Sequence, residues 1–338
     1  MIKSMLRQCI ECQRWRKKAE VPVMADLPNA RLRIGKPAFY STGVDCFGPM
    51  NVKVKRSTEK RWGVVFKCMT TWAVHLEVIE SMNMDAFLMA FQRFVSRRGK
   101  PKELYSDCGT NFKGAEKELC ESSDAMSYDL RQKLASQQVK FNFNPPGVPH
   151  FGGIWEREVR SIKNALRCSL NHSLVTDVVL RTVFTEAESV MNSKPLGYAS
   201  SDIAYPDPIT PNMLLMGRRD TALPLVVFND GEIRSKRHWR HSQFIAEQFW
   251  RRFMREYLPS LQIRQKWHRE SCKLKVGDVV LIIDSQQPRA QWLIGKVTTV
   301  YPGEDGRVRV AEVLVNDTGK TYKRPVAKLV KLEQWKDD

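Results

Sequence analysis

The sequence predicts an α/β protein, in which a mixed five-stranded sheet with helices is followed by a helical linker and a small C-terminal β-barrel. Strand-like and helix-like patterns alternate over residues 36–200, a basic helix follows at about 239–258, and short strands separated by turn residues begin at 279. We therefore divide the chain into a basic segment, an α/β core, a linker with the basic helix, and a small β domain, at residues 1–35, 36–200, 201–269 and 270–333.

The individual elements follow from their side-chain patterns. Runs rich in β-branched and aromatic residues predict core strands at 39–47, 62–69, 73–79, 103–106 and 139–143. Residues 55–60 are polar and predict the turn between the first two strands, and apolar residues at helical spacing predict a helix over 84–97. Pro259 is expected to close the basic helix. The barrel strands are predicted at 279–283, 292–300, 307–315 and 320–326.

The composition points to a polyanionic partner. The chain has 55 Lys and Arg against 37 Asp and Glu, for a net charge of +18, and nucleic acid is the commonest partner of so basic a protein. A basic helix on anionic lipid remains an alternative. A hydrophobic content of 42% excludes collagen-like and mostly disordered classes, and no apolar run is long enough to cross a bilayer. The eight Cys are scattered, which favours reduced thiols over a disulfide framework.

The positive charge is concentrated around the basic helix. Residues 234–269 contain ten Lys and Arg against two Glu, with aromatic residues between them. Arg251, Arg252 and Arg255 are the candidate phosphate contacts. The same helix carries an apolar stripe that must be buried, so it could instead serve mainly in packing or multimerisation. The stripe consists of Ala246, Phe249, Phe253 and Tyr257.

Three acidic residues stand out by position. Asp45 ends the first predicted strand and Asp107 the fourth, where a carboxylate points into the space in which ligands bind, although either could be an ordinary turn residue. Glu156 falls in a predicted helix whose buried stripe is formed by Trp155, Val159, Ile162 and Leu166. At 100° per residue, a second stripe beside it groups one acid with three cations. The members of this second stripe are Glu156, Arg160, Lys163 and Arg167. The grouping indicates either a metal-binding acid with phosphate-binding cations or a solvated ion pair.

These residues and their neighbours resemble the Asp-Asp-Glu integrases of retroviruses and LTR retrotransposons, most closely the BEL/Pao group. The segments that carry the resemblance are 102–112, 149–156, 191–196 and 210–218. Farther along, residues 240–250 and 288–297 resemble the domain of unknown function that usually ends BEL/Pao polyproteins.

The resemblance implies an RNase H-like fold for residues 36–200 and metal-dependent DNA 3′-end processing and strand transfer. It implies that Asp45, Asp107 and Glu156 hold two Mg²⁺ ions, or Mn²⁺ in their place. Arg160, Lys163 and Arg167 would position DNA phosphates, and the loop 145–149 with Gly152 and Gly153 would form a mobile flap beside the site. It also implies element ends and target duplex as partners, a homo-oligomer, and a nuclear location.

The sequence departs from the family pattern near its start. Cys9 and Cys12 form a Cys-x-x-Cys pair, but the two His residues that complete a zinc site in such integrases are absent. We interpret residues 1–20 as the truncated tail of a zinc-binding domain, with no complete zinc site. A domesticated, catalytically idle DNA-binding protein is therefore the alternative function. A cellular RNase H fits less well, because the first helix carries only Asp85 and the last acid is Glu.

Overall fold

The computed structural model of the chain describes residues 29–33, 35–106, 110–124, 139–143, 153–170, 175–198, 208–218, 238–261, 274–284, 291–303, 308–315 and 318–332. Side chains are not described for residues 110, 119–124, 153–158, 168 and 256–261.

A mixed sheet forms the centre of the N-terminal part. Its strand order is β3-β2-β1-β4-β5, with a short β6 beside β1. The first three strands are antiparallel, whereas β4 and β6 run parallel to β1, and β5 parallel to β4. The predicted mixed sheet is confirmed, with one two-residue strand added. The strands are β1 (Ser41–Val54), β2 (Ser57–Cys68), β3 (Val74–Ile79), β4 (Glu103–Ser106), β5 (Lys140–Phe143) and β6 (Val175–Thr176).

The hairpin between β1 and β2 is longer than predicted. Only Lys55 and Arg56 form the turn, with Lys55 at a positive φ of 54°. The predicted turn at 55–60 was wrong because residues 57–60 are exposed strand residues. The end of the hairpin projects beyond the core, so polar side chains are accommodated on both of its faces.

Helices cover both faces of this sheet. One hydrophobic cluster contains Val65 and Leu76 of the sheet together with residues of α3, α4 and α6. The other contains Val64 and Phe66 with α1 and the start of α2. Neighbouring residues of β2 thus face opposite layers, as the period of two in a strand requires. The helices are α1 (Met84–Arg98), α2 (Thr110–Asp124), α3 (Gly153–Leu170), α4 (Asp177–Asn192), α5 (Pro211–Met216) and α6 (His238–Leu261).

Helix α6 is the predicted basic helix, and its apolar side is buried inside the chain. Ala246, Phe249 and Phe253 are all buried, and Phe249 and Phe253 pack in the cluster that α3 and α4 share. The side chain of Tyr257 lies outside the described residues. The helix also continues to Leu261, so the prediction that Pro259 closes it was wrong. A proline removes one backbone donor, and the two residues after Pro259 still keep the helical conformation.

The C-terminal strands form an open antiparallel sheet with the order β12-β11-β10-β9-β13. The predicted closed barrel is not seen among the described residues, because no ladder there joins the edge strands. Instead, the 3₁₀ turn Val326–Lys328 carries the chain from β12 at one edge to β13 at the other. The strands are β9 (Val279–Ile282), β10 (Ile294–Pro302), β11 (Val308–Val315), β12 (Thr321–Pro325) and β13 (Leu329–Lys331); β7 (Gly197–Tyr198) and β8 (Pro208–Ile209) form a separate short pair.

The two faces of the C-terminal sheet have different partners. Val280, Ala311 and Val313 belong to a core of the sheet's own. Leu281 and Ile294 join the large cluster around α6, and Trp292 packs edge-on against Trp250 of α6, with ring centroids 5.0 Å apart. Helix α6 therefore contacts both the N-terminal part and the C-terminal sheet.

A buried ionic network connects β3 with α1 and α4. The ring of His75 lies 3.1 Å from Glu77 and 3.3 Å from Glu188. Arg93 donates to Glu77 at 2.7 Å, and Arg98 donates to Glu188. Burial by itself lowers the pKa of His75, but the hydrogen bonds to Glu188 and Glu77 together raise it. The charges on this strand are therefore neutralised by groups from two helices.

Two buried lysines lie around the indole of Trp72. The Lys67 ammonium is 4.7 Å from the ring centroid and that of Lys194 is 5.8 Å away, with the Arg31 guanidinium at 5.4 Å. Burial lowers the pKa of Lys194 to about 7. Burial, followed by repulsion from Lys194, also lowers the pKa of Lys67. The cluster thus favours neutral amines in the folded protein.

Candidate active site

Asp45 lies inside the central strand β1, so the prediction that it ends the first strand was wrong, because β1 continues to Val54 as the antiparallel partner of β2. This strand is flanked by β2 and β4, and Asp45 is the register partner of Val65 on β2. Its side chain is 28% exposed. A rigid strand therefore positions the carboxylate and leaves it accessible to a ligand.

The strand that leads to Asp107 runs beside the strand of Asp45. β4 pairs with β1 in parallel, with Gly43 opposite Tyr105. β4 ends at Ser106. Asp107 itself, with Cys108 and Gly109, lies outside the described residues. Its role as the second acid stays a prediction.

A hydrogen-bond network at the start of β4 fixes this strand against β1. The Glu103 carboxylate accepts from Arg33 at 2.7 Å, from Ser41 at 2.9 Å and from Tyr105 at 3.1 Å. Burial acts to raise the pKa of Glu103, yet these donors lower it overall. Burial and the adjacent carboxylate raise the pKa of Tyr105 to about 12. Because Ser41 is also the register partner of Glu103, the network fixes the alignment of the two strands.

Lys163 links α3 to Asp45. Its ammonium donates to Asp45 Oδ2 at 2.5 Å, and 29% of the Lys163 side chain is exposed. Val159, Ile162 and Leu166 are buried, as their stripe predicted. Their burial orients the helix so that the neighbouring stripe, which carries Lys163, meets β1.

Glu156 lies in the first turn of α3, and its side chain is outside the described residues. Seven residues, nearly two helical turns, separate it from Lys163, so the two positions share one face of the helix. The structure places the backbone of Glu156 on the face that reaches Asp45. Convergence of the three carboxylates stays a prediction.

Asn111 is a residue near the site that sequence reasoning left without a role. It is buried near the start of α2, and its side-chain amide donates to the sulfur of Cys46 at 3.8 Å. Cys46 directly follows Asp45, so this contact ties the start of α2 to β1. Asn111 belongs to the segment 102–112 that carries the resemblance, which was the available signal.

The predicted phosphate contacts lie on exposed surfaces. Arg160 and Arg167 are exposed on α3, on either side of Lys163. On α6, Arg251, Arg252 and Arg255 are exposed as well. Arg251 donates to Glu247 at 3.0 Å, one turn earlier on the same helix. The cations are available on these surfaces, and their contact with DNA stays a prediction.

Other predicted features fall outside the described residues. These are the Cys9 and Cys12 pair and the loop 145–149. Within the residues that the structure describes, no group of three His, Cys, Asp or Glu side chains could hold a metal ion. Asp107 and the Glu156 side chain lie outside those residues. None of the helices in the described ranges has both the length and the apolar character needed to cross a membrane.

A family model matches the C-terminal part of the chain. Residues 237–332 match a family of unknown function, DUF5641. The expectation of a C-terminal domain of unknown function is thereby confirmed. No curated protein matches the chain.

The chain is also similar to solved integrase structures. The HTLV-2 integrase catalytic core domain in complex with magnesium is 18% identical, covering 54% of this chain and 99% of that chain, with a TM-score of 0.33. An intasome of simian T-cell lymphotropic virus in complex with PP2A regulatory subunit B56 gamma is 13% identical and covers 98% and 90%, with a TM-score of 0.36. The catalytic core domain of BIV integrase is 14% identical and covers 53% and 95%, with a TM-score of 0.32.

Proposed function

We propose that the chain is the integrase of a BEL/Pao-type LTR retrotransposon, a metal-dependent polynucleotidyl transferase that processes DNA 3′ ends and joins them to target DNA. The observation that carries this proposal is the contact of Lys163 with Asp45. It joins two stretches of sequence, separated by 118 positions, that were each singled out for the same chemistry. At helical spacing, Glu156 would share the face of α3 that carries Lys163 and so approach the acid on β1.

The strand order supports the proposal. An order of β3-β2-β1-β4-β5, with three antiparallel strands followed by two parallel ones, is that of an RNase H-like sheet. In this order the strand of Asp45 and the strand that precedes Asp107 are neighbours. Asp45 and Asp107 each come two positions after the register pair Gly43 and Tyr105, so the two acids would lie beside each other.

The donor set fits the magnesium site that we propose. Carboxylate oxygens are the ligands that Mg²⁺ prefers, and Asp45 is accessible and already accepts a hydrogen bond from a cation. Asp107 and Glu156 would supply the remaining carboxylates. When bound, two ions would stabilise the attacking and the leaving oxygens of a phosphoryl transfer.

The residues of the chain itself would hold the DNA. Arg160, Lys163 and Arg167 form a row along α3 that suits contact with successive phosphates, which positions a strand without reading its sequence. The exposed arginines of α6 would add a second phosphate-binding surface. Element ends and target duplex are the proposed partners, with a homo-oligomer as the working assembly and the nucleus as the location.

A strand-transfer assay tests the function. The purified chain, a duplex with the element's end sequence and a target plasmid are incubated with Mg²⁺, and joined product is measured. Glu156→Gln should reduce product to background. Glu158→Gln is the matched control, because that position lies about 200° around the same helix. Equal activity of the Glu156→Gln protein and the wild type would contradict the proposal. Duplex binding without any joined product would instead favour the idle DNA-binding protein.

A further inference from the structure

The contact between Lys163 and Asp45 has the properties of a strong ion pair. The ammonium donates to the carboxylate at 2.5 Å, and charge-assisted hydrogen bonds of this kind are roughly twice as strong as neutral ones. Both side chains are less than one-third exposed, at 29% and 28%, so solvent screens the pair only partly. Any other ligand that binds the Asp45 carboxylate must therefore compete with this ion pair.

A divalent cation at Asp45 would compete with Lys163. Mg²⁺ binds carboxylate oxygens at about 2.0 to 2.1 Å. An ion on the Oδ2 atom that Lys163 contacts would therefore place two positive charges within about 4 to 5 Å of each other. Their repulsion disfavours simultaneous occupancy, so the ammonium has to leave as the ion enters.

The ammonium of Lys163, once released from Asp45, would have a DNA phosphate as its new partner. Lys163 has a flexible four-carbon stem, and the exposed Arg160 and Arg167 lie one helical turn before and after it. The Lys163 ammonium would then reach a DNA phosphate that these two arginines hold. Metal binding at Asp45 would then complete the row of phosphate-binding cations.

We propose that Lys163 is a positioning residue that occupies the oxygen of Asp45 until a divalent cation displaces it, which couples metal binding to DNA binding. This inference rests on the proposed function, because it takes Asp45 as a metal ligand. The coupling is reciprocal: DNA that draws Lys163 away from Asp45 makes metal binding easier.

The test measures metal affinity of the full chain without DNA or catalysis. Mn²⁺ is titrated into the wild type, Lys163→Met, Lys163→Arg and Arg181→Met, and free Mn²⁺ is followed by electron paramagnetic resonance. Lys163→Met should lower the Kd about tenfold, since a charge-assisted bond no longer has to break. Lys163→Arg keeps a cation at this position, so its Kd for Mn²⁺ should stay close to that of the wild type. Arg181→Met removes one charge from an exposed position on α4 and is the control for net charge.

A second measurement uses the wild-type protein and does not depend on the folding of a variant. The reaction of Lys163 with an amine-specific reagent is quantified by mass spectrometry, and it should increase when Mn²⁺ saturates the protein. An unchanged or increased Kd in Lys163→Met, with no change in labelling, would overturn the inference alone. Absence of Mn²⁺ binding in every protein would overturn the inference and the metal site of the proposed function together.

Discussion

Charge reversal on α6 separates DNA binding from packing as the role of this helix. Arg251, Arg252 and Arg255 are exposed, whereas Phe249 and Phe253 on the same helix are buried. Replacing the three arginines by Glu changes only the solvent side, so the chain should still fold. If the arginines contact phosphates, the variant should bind unrelated duplexes more weakly, and to about the same extent for each.

The expected magnitude follows from counterion release. Each arginine that neutralises one phosphate contributes about 0.9 to the slope of log affinity against log salt, so three contribute about 2.7. Between about 50 and 200 mM salt, the wild type should therefore lose about 40-fold more affinity than the variant. Each reversal removes two charge units, so the net charge falls from +18 to +12.

Fluorescence anisotropy with two duplexes of unrelated sequence measures both quantities. The matched control reverses Lys53, Lys55 and Lys60, which are exposed on the β1–β2 hairpin, and it changes the net charge equally. The control should keep most of the salt slope. If the α6 variant is folded by circular dichroism and retains the wild-type affinity and slope, then α6 is a packing element and our reasoning about its cations fails.

Three further predictions concern stability, and urea unfolding measures each. Glu188→Ala leaves His75 and Arg98 without their buried acceptor and should cost about 3 to 5 kcal/mol, whereas Glu188→Gln should cost less because it keeps an oxygen. Phe249→Ala empties a buried site on α6 and should cost about 3 to 5 kcal/mol, and a loss below about 1 kcal/mol would argue against the packing described here. Burial lowers the pKa of Lys194 from 10.5 to about 7, so the unfolded chain binds more protons between these values and stability should increase with pH across that range. Lys194→Met should flatten this increase between pH values of about 7 and 9.5, and an unchanged pH profile would contradict the shift.

Much of the fold could be predicted from local patterns. The helix predicted at 84–97 forms at Met84–Arg98, because its apolar residues and the following Gly99 both specify the same element. The buried stripe of α3 was predicted for the same reason. The pairing of Lys163 with Asp45 could not be predicted, since it depends on how the helix is placed on the sheet. Sequence reasoning identified both residues but gave them different partners.

Other features depend on tertiary structure that no local pattern contains. All residues of β3 are buried although His75 and Glu77 are among them, because arginines and a glutamate from two helices neutralise their charges. The sequence of this strand alone does not predict those partners, because they lie on two helices. Closure of the C-terminal sheet likewise depends on pairing between its edge strands, which the turn spacing does not determine. The length of the β1–β2 hairpin depends on how far it projects beyond the core.

The position of α6 has a consequence for producing fragments of this protein. The match to DUF5641 begins at residue 237, one residue before α6 begins at His238. A fragment that ends at this boundary would lose Phe249 and Phe253, and α3 and α4 would present the apolar surface that these side chains cover. Such a fragment is prone to aggregate, whereas one that extends through Leu261 keeps the surface covered. The boundary that sequence similarity suggests is thus a poor place to divide the polypeptide for expression.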